Sequence, residues 1–171
     1  MKKALKYSGF VAALLAIVAF VLFMATPGVM SGNDVVAKGT TLLFGKKEAV
    51  TIIGIKLGDS EVKLAWSALL AWIFVTVALL ILILGIVLPL LKVKALDKFA
   101  GLLNLCAVVL LVVAGVFAFI SLPIFCSANG LDSVPEKWTL GAGWVIGGIL
   151  AILGGVCAIL PACADFFAKK K

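Results

Sequence analysis

Residues 66–91 read WSALLAWIFVTVALLILILGIVLPLL, an apolar run without one charged side chain. At a helical rise of 1.5 Å, roughly 20 such residues cross the hydrocarbon core of a bilayer, so the stretch is long enough to span it with tilt to spare. Residues 8–30, 99–125 and 139–163 have the same uncharged character, and lysine-rich or turn-rich segments separate them. Composition agrees: 64% of the residues are hydrophobic, 13% are charged, and the mean hydropathy is +1.29. Soluble folds carry about 25% charged residues. The expected fold class is all-α membrane, a four-helix transmembrane bundle forming a single domain over residues 1–171.

Lys2, Lys3 and Lys6 before the first run suit the n-region of a signal peptide. The run is longer than the usual 7–15 residues, and Ala25-Thr26-Pro27-Gly28 offers no clear small-x-small cleavage site, so a retained helix is expected.

Lysine placement sets orientation. All 15 basic residues are lysine. One side of the membrane receives Lys2, Lys3, Lys6, Lys92, Lys94, Lys98, Lys169, Lys170 and Lys171 against Asp97 and Asp165. The other receives Lys38, Lys46, Lys47, Lys56, Lys63 and Lys137, balanced by Asp34, Glu48, Asp59, Glu61, Asp132 and Glu136. The whole formal charge of +7 therefore falls on one face, which is expected to be cytoplasmic and to hold both termini. Topology accounts for these lysines through their attraction to anionic headgroups, and no nucleic-acid partner is needed.

The two halves resemble each other. Phe23-x3-Pro27-x3-Ser31-x-Asn33 has its match in Phe119-x3-Pro123-x3-Ser127-x-Asn129. Trp66-x5-Trp72 and Leu88-Pro89 recur 72 residues later as Trp138-x5-Trp144 and Leu160-Pro161. Either the chain is a 2+2 parallel repeat packed as a pseudo-twofold bundle, or the common preferences of Trp, Pro and Asn at helix ends produced the likeness. The halves differ by an insertion. Between Asn33 and Trp66 lie 32 residues, against 8 between Asn129 and Trp138.

That surplus, residues 35–64, reads as a small extracellular β-sheet inserted between the first two helices. Strands are expected at Thr40 to Phe44, Ala49 to Leu57 and Glu61 to Leu64, from β-branched enrichment and Gly/Asp punctuation. In the middle strand Ile53, Ile55 and Leu57 share one face, with Lys56 opposite. Ile53, Ile55 and Lys56 are the candidate extracellular interaction residues.

In the fourth helix Gly143, Gly147, Ala151 and Gly155 recur every fourth residue, a small-residue stripe that lets helix backbones approach closely. Its partner is either the first helix of the same chain, through Gly9, Ala12, Ala13, Ala16 and Ala19, or a second copy.

Chemistry is thinly provided. Histidine is absent, which removes the commonest metal ligand and general base. The spans contain no ionisable acid or base of the kind that marks ion paths and proton relays. Their polar residues are few: Thr76 able to bond its own backbone, Asn104 placed to stitch helices, and Ser67 and Ser121 near the outer surface. Cys126 falls on the outer side, while Cys106, Cys157 and Cys163 fall in the cytoplasmic half without CxxC spacing. No catalytic, metal or cofactor residues are assigned.

Four spans, a long strand-rich first outer loop, a short cytoplasmic hairpin, a short second outer loop and cytoplasmic ends make a layout that resembles the claudin-like tetraspan membrane proteins. The resemblance covers the whole chain as architecture. The family's first-loop signature, a Trp, then Gly-Leu-Trp, then two Cys, has no counterpart, because residues 31–65 contain neither Trp nor Cys. No family residue is carried over, and what the resemblance implies is lateral assembly or adhesion through the outer sheet.

The functional expectation is a non-enzymatic membrane scaffold or accessory subunit, with the lipid bilayer and a second copy or another membrane protein as partners. The alternative is a small transporter or channel subunit for a neutral or lipid-like solute. A tag placed after Lys171 is expected to stay unreachable from outside intact cells and to become labelled on permeabilisation; labelling before permeabilisation reverses the orientation.

Overall fold

The computed structural model describes residues 2–46, 51–52, 55–56, 62–90 and 100–168. In chain order the elements are α1 (Lys2–Ala25), β1 (Pro27–Ser31), β2 (Asp34–Lys38), α2 (Gly39–Phe44), β3 (Thr51–Ile52), β4 (Ile55–Lys56), α3 (Trp66–Leu90), α4 (Ala100–Phe119), α5 (Ser121–Ala128), β5 (Trp138–Leu140) and α6 (Ala142–Ala168). Four helices are long and apolar enough to cross a membrane, over Tyr7–Ala25, Trp66–Val87, Leu102–Phe119 and Ala142–Leu160. Four long apolar helices and a small sheet are consistent with the tetraspan architecture read from the apolar runs. The lysines of residues 92–98 and 169–171, on which the orientation rests, lie outside the described residues.

The long helices form a closed ring in which α1 packs on α6, α6 on α4, α4 on α3, and α3 more lightly on α1. Small residues face inward: Ala12, Ala16 and Ala19 on α1, Ala68, Ala71 and Ala78 on α3, Ala107, Ala114 and Ala118 on α4, and Ala151 and Ala158 on α6 are buried. Large apolar residues face outward, among them Phe10, Leu14, Leu80, Val109, Val156 and Leu160. A water-soluble bundle does the reverse. Lipid tails are as apolar as leucine, so such helices gain by bringing backbones close, which small inward residues allow.

Proline ends two of the helices. Pro27 has no N–H to give the Phe23 carbonyl, and Thr26 closes the last turn of α1 through its amide and hydroxyl, both donated to the Leu22 carbonyl at 3.2 and 2.6 Å. The chain then enters β1 rather than continuing as helix to residue 30, because the first residue of a strand tolerates proline. Pro123 likewise deprives the Phe119 carbonyl. The single helix expected over 99–125 is therefore divided at Ile120 into α4 and α5. The fourth span starts at Ala142 instead of 139, since Trp138–Leu140 is a strand.

That strand completes a three-stranded antiparallel sheet of order β2-β1-β5. Val29 pairs with Ala37 on one side and Leu140 on the other, and Ser31 with Asp34 and Trp138. The sheet therefore joins residues before the expected insertion to the second loop, and only β2 falls in the insertion. Val29, Ala37 and Trp138 are buried in one cluster with α2 and the helix ends.

Thr40 to Phe44, expected as a strand, belongs to α2. Neighbouring Leu42 and Leu43 are both wholly buried, and a strand would turn one of them outward. A helix puts Gly39, Leu42 and Leu43 on one face, and the Gly39 amide donates to the Thr26 carbonyl at 2.9 Å. The continuous strand expected from Ala49 to Leu57 is also replaced. Thr51 pairs with Lys56 and Ile52 with Ile55, so the chain reverses between them. Lys46 and Val62 pair as an isolated bridge at the base of this segment, with amide-to-carbonyl distances of 3.0 and 2.9 Å.

The tightest join lies where α6 begins. The Gly141 amide donates to the Gly28 carbonyl at 2.9 Å, and a Cβ on Gly141 would run into the Pro27 carbonyl. Gly141→Ala is expected to cost about 3 kcal/mol by forcing backbone apart. Gly32→Ala, in open space at φ +60, should cost only about 1 kcal/mol of left-handed strain. Denaturant unfolding in detergent micelles compares the two.

Candidate functional site

The candidate surfaces follow from what the bundle leaves uncovered. The small-residue stripe of α6 is engaged within the chain. A Cβ on Gly143 would meet the Thr26 side chain, and one on Gly147 would come within 2.7 Å of the Phe23 ring. Ala151 is wholly buried. A Cβ on Gly155 would stand 2.9 Å from Val112 Cγ2 and 3.2 Å from the Val108 carbonyl. The stripe thus winds from α1 at one end to α4 at the other. Of the helix α1 residues read as its partners, Ala12 meets α6 at Gly154, and Ala13, Ala16 and Ala19 are buried. The face of α6 turned away from the bundle is instead large and apolar: Ile146, Ile149, Leu153 and Val156.

At the sheet end, aromatic rings fill the space that glycine leaves. Phe23 packs on Trp144 at 4.7 Å between ring centroids, and Trp72 stacks on Phe20 at 5.4 Å while meeting Phe44 edge-on at 5.8 Å. Trp66 and Phe74 both contact Phe117. The indole N–H groups of Trp72 and Trp144 are buried without an acceptor among the described residues. These two tryptophans are counterparts across the 72-residue offset and keep a common setting, as do Pro89 and Pro161, both inside long helices. Pro27 opens a strand where Pro123 sits in a helix, and Trp66 is exposed at a helix start where Trp138 is buried in a strand.

Polar side chains act as stitches. The Ser67 hydroxyl donates to Ser121 Oγ at 3.3 Å, and Ser121 donates to the Phe117 carbonyl at 2.7 Å, tying α3 to the α4–α5 break. Thr76 donates to its own backbone at Trp72, 2.8 Å away. The Asn104 carboxamide oxygen lies so close to α3 that a Cβ on Gly85 would stand 3.0 Å from it.

The spacing match with Asn33 marks Asn129 in the sequence, but its role is visible only in the fold. Its carboxamide accepts from the Lys63 amide at 2.8 Å and donates to the Lys63 carbonyl at 3.1 Å, copying one rung of a β-ladder. The same nitrogen lies 2.8 Å from the Phe125 carbonyl. Asn129 therefore clamps the end of the first loop to α5. The turn beyond it holds its place through a Schellman pattern: Gly130, at φ +78, donates to Ser127, and Leu131 to Cys126.

A cavity of about 320 Å³ lies between α5 and this turn, walled by Cys126, Ser127, Leu131 and Asp132. The Cys126 thiol is buried, and loss of solvation pushes its pKa up from the ordinary value. Among the described residues no three His, Cys, Asp or Glu side chains converge as a metal site requires.

The sheet offers its β2 edge. β2 has one strand neighbour, and Asp34, Val35 and Lys38 are exposed along it. Of the interaction residues read from the sequence, Ile55 and Lys56 form β4, and Ile53 lies outside the described residues.

No model of a known protein family matches the chain, and no curated protein matches it.

Asn129→Ala is expected to lower stability by about 1–2 kcal/mol and to speed amide exchange at Lys63, since a few net hydrogen bonds are lost. Native Cys126 is expected to react with maleimide far more slowly than the same thiol in denaturant, because burial disfavours the thiolate. Equal rates in the two states would place the thiol in water.

Proposed function

We propose that the protein is a non-enzymatic scaffold or accessory subunit of a cell membrane, claudin-like in layout, with both termini cytoplasmic and the sheet outside. It meets its partners, a second copy or another membrane protein, through the outer strands and the lipid-facing helix surfaces.

The observation that carries this is the way the bundle closes. Its interior is lined by alanine and glycine at backbone contact, and the buried polar side chains among the described residues are Ser67, Asn104 and Ser121. Each of the three has a bonding partner, so none is free to line a solute path. Large apolar side chains outside favour lipid as the surrounding medium. With the glycine stripe engaged inside the chain, partner contact falls to the outward face of α6, the β2 edge and β4 with Ile55 and Lys56, together with Ile53 from the sequence reading.

Recovery of the tagged protein from its native membrane should bring down a membrane protein or untagged copies in fixed proportion. Ile55→Asp with Lys56→Glu should reduce that recovery several-fold without loss of the fold. Purified chain in liposomes should pass neutral solutes no faster than empty vesicles; a clear flux would favour the transporter alternative, which the likeness of the two halves supports.

A further inference from the structure

We infer that β2 is a self-complementary edge, through which two copies in one membrane pair antiparallel about a twofold axis at Val36. The inference rests on the scaffold reading and names the partner as a second copy of this chain.

β2 reads Asp34-Val35-Val36-Ala37-Lys38, with an acid at one end and a base at the other. Antiparallel pairing centred on Val36 sets Asp34 opposite Lys38 of the second copy, Val35 opposite Ala37, and Val36 opposite itself. Each charge then meets its opposite twice, once at each end, as an isologous contact requires. Parallel pairing in register would set Asp34 against Asp34 and Lys38 against Lys38, which is unfavourable across strands. The charge order therefore selects the antiparallel arrangement.

The strand's irregularity falls at the same point. The register to β1 runs Met30 to Val35 and then Val29 to Ala37, so Val36 is skipped. The extra residue of a bulge is left off the inner ladder. Val36, on the proposed axis, is thus the residue of β2 that β1 uses least. Asp34, Val35 and Lys38 are all exposed, and the turn before them at Gly32 opens on free space.

A five-strand-residue contact buries less than the roughly 1,200 Å² of a stable soluble interface. Confinement of both copies to one bilayer raises their effective concentration and makes so small a contact sufficient.

Energy transfer between C-terminal labels, measured in lipid vesicles across a range of protein-to-lipid ratios, tests the pairing. Wild-type chain should dimerise, and unlabelled wild type should compete. Asp34→Lys and Lys38→Asp should each weaken dimerisation on the order of tenfold, because both ion pairs become repulsions. A mixture of the two variants should restore it, since each supplies what the other lacks. Both substitutions lie on the exposed edge, and an unchanged emission spectrum of the four tryptophans reports that the fold is kept. Dimerisation indifferent to charge reversal overturns the β2 interface while leaving the scaffold reading intact. Absence of wild-type self-association at every density overturns the second copy as occupant, and loss of all partners from native membranes as well overturns the scaffold reading itself.

Discussion

The structure depends on how closely the end of α1 lets other backbone approach it. Between Phe23 and Pro27 the chain leaves the helix, and four glycines converge there: Gly39 from α2, Gly141 at the start of α6, and Gly143 and Gly147 within it. A side chain at any of them would meet the Phe23 carbonyl or ring, Thr26, or the Pro27 carbonyl. Close packing of this kind supplies dispersion contacts that lipid cannot better, which is the main attractive term left to helices once water is excluded. The sheet depends on the same join, because Gly141 holds β5 to β1 through Gly28, and Gly39 ties the start of α2 to Thr26, just before β1.

That join also decides which surfaces the bundle leaves uncovered. A stripe of small residues reads equally well as an internal seam or an oligomer face, and here Phe23, Thr26, Val112 and the Val108 carbonyl occupy it. What faces outward on α6 is a wall of isoleucine, leucine and valine suited to acyl chains. Strand edges, the Asn129 clamp and exposed charges lie together at the capped end. Hydroxyl groups in the interior are used for stitching, Ser67 to Ser121 and Thr76 to its own turn, while the Trp72 and Trp144 N–H groups find no acceptor among the described residues.

The sequence misleads where local propensity and tertiary context disagree. Thr40 to Phe44 is rich in residues that suit a strand, yet Leu42 and Leu43 both find apolar cover only if the segment is helical. The spacing of Phe, Pro, Ser and Asn is the same in both halves, but Pro27 opens a strand and Pro123 sits in the first turn of a helix. Proline forbids one hydrogen bond in each case, and the neighbours decide what the chain does next. Nothing local marks Trp138–Leu140 as a strand, since its partner β1 lies more than a hundred residues away and was itself read as the end of a helix.

The four spans were determined by the sequence alone, because length and apolarity are local sums and lipid acts on each segment separately. The breaks at Pro27 and near Pro123 fall inside runs that read as continuous helix, and Pro89 and Pro161 sit within α3 and α6 without ending them there, so a missing N–H alone does not fix a helix end. Only the tertiary structure decided that the glycine stripe is an internal seam, that the sheet draws a strand from each loop, and that Asn129 holds those loops together. The reason is physical: a glycine records that some backbone comes near without saying whose, and an edge strand records that a partner is needed without saying from where.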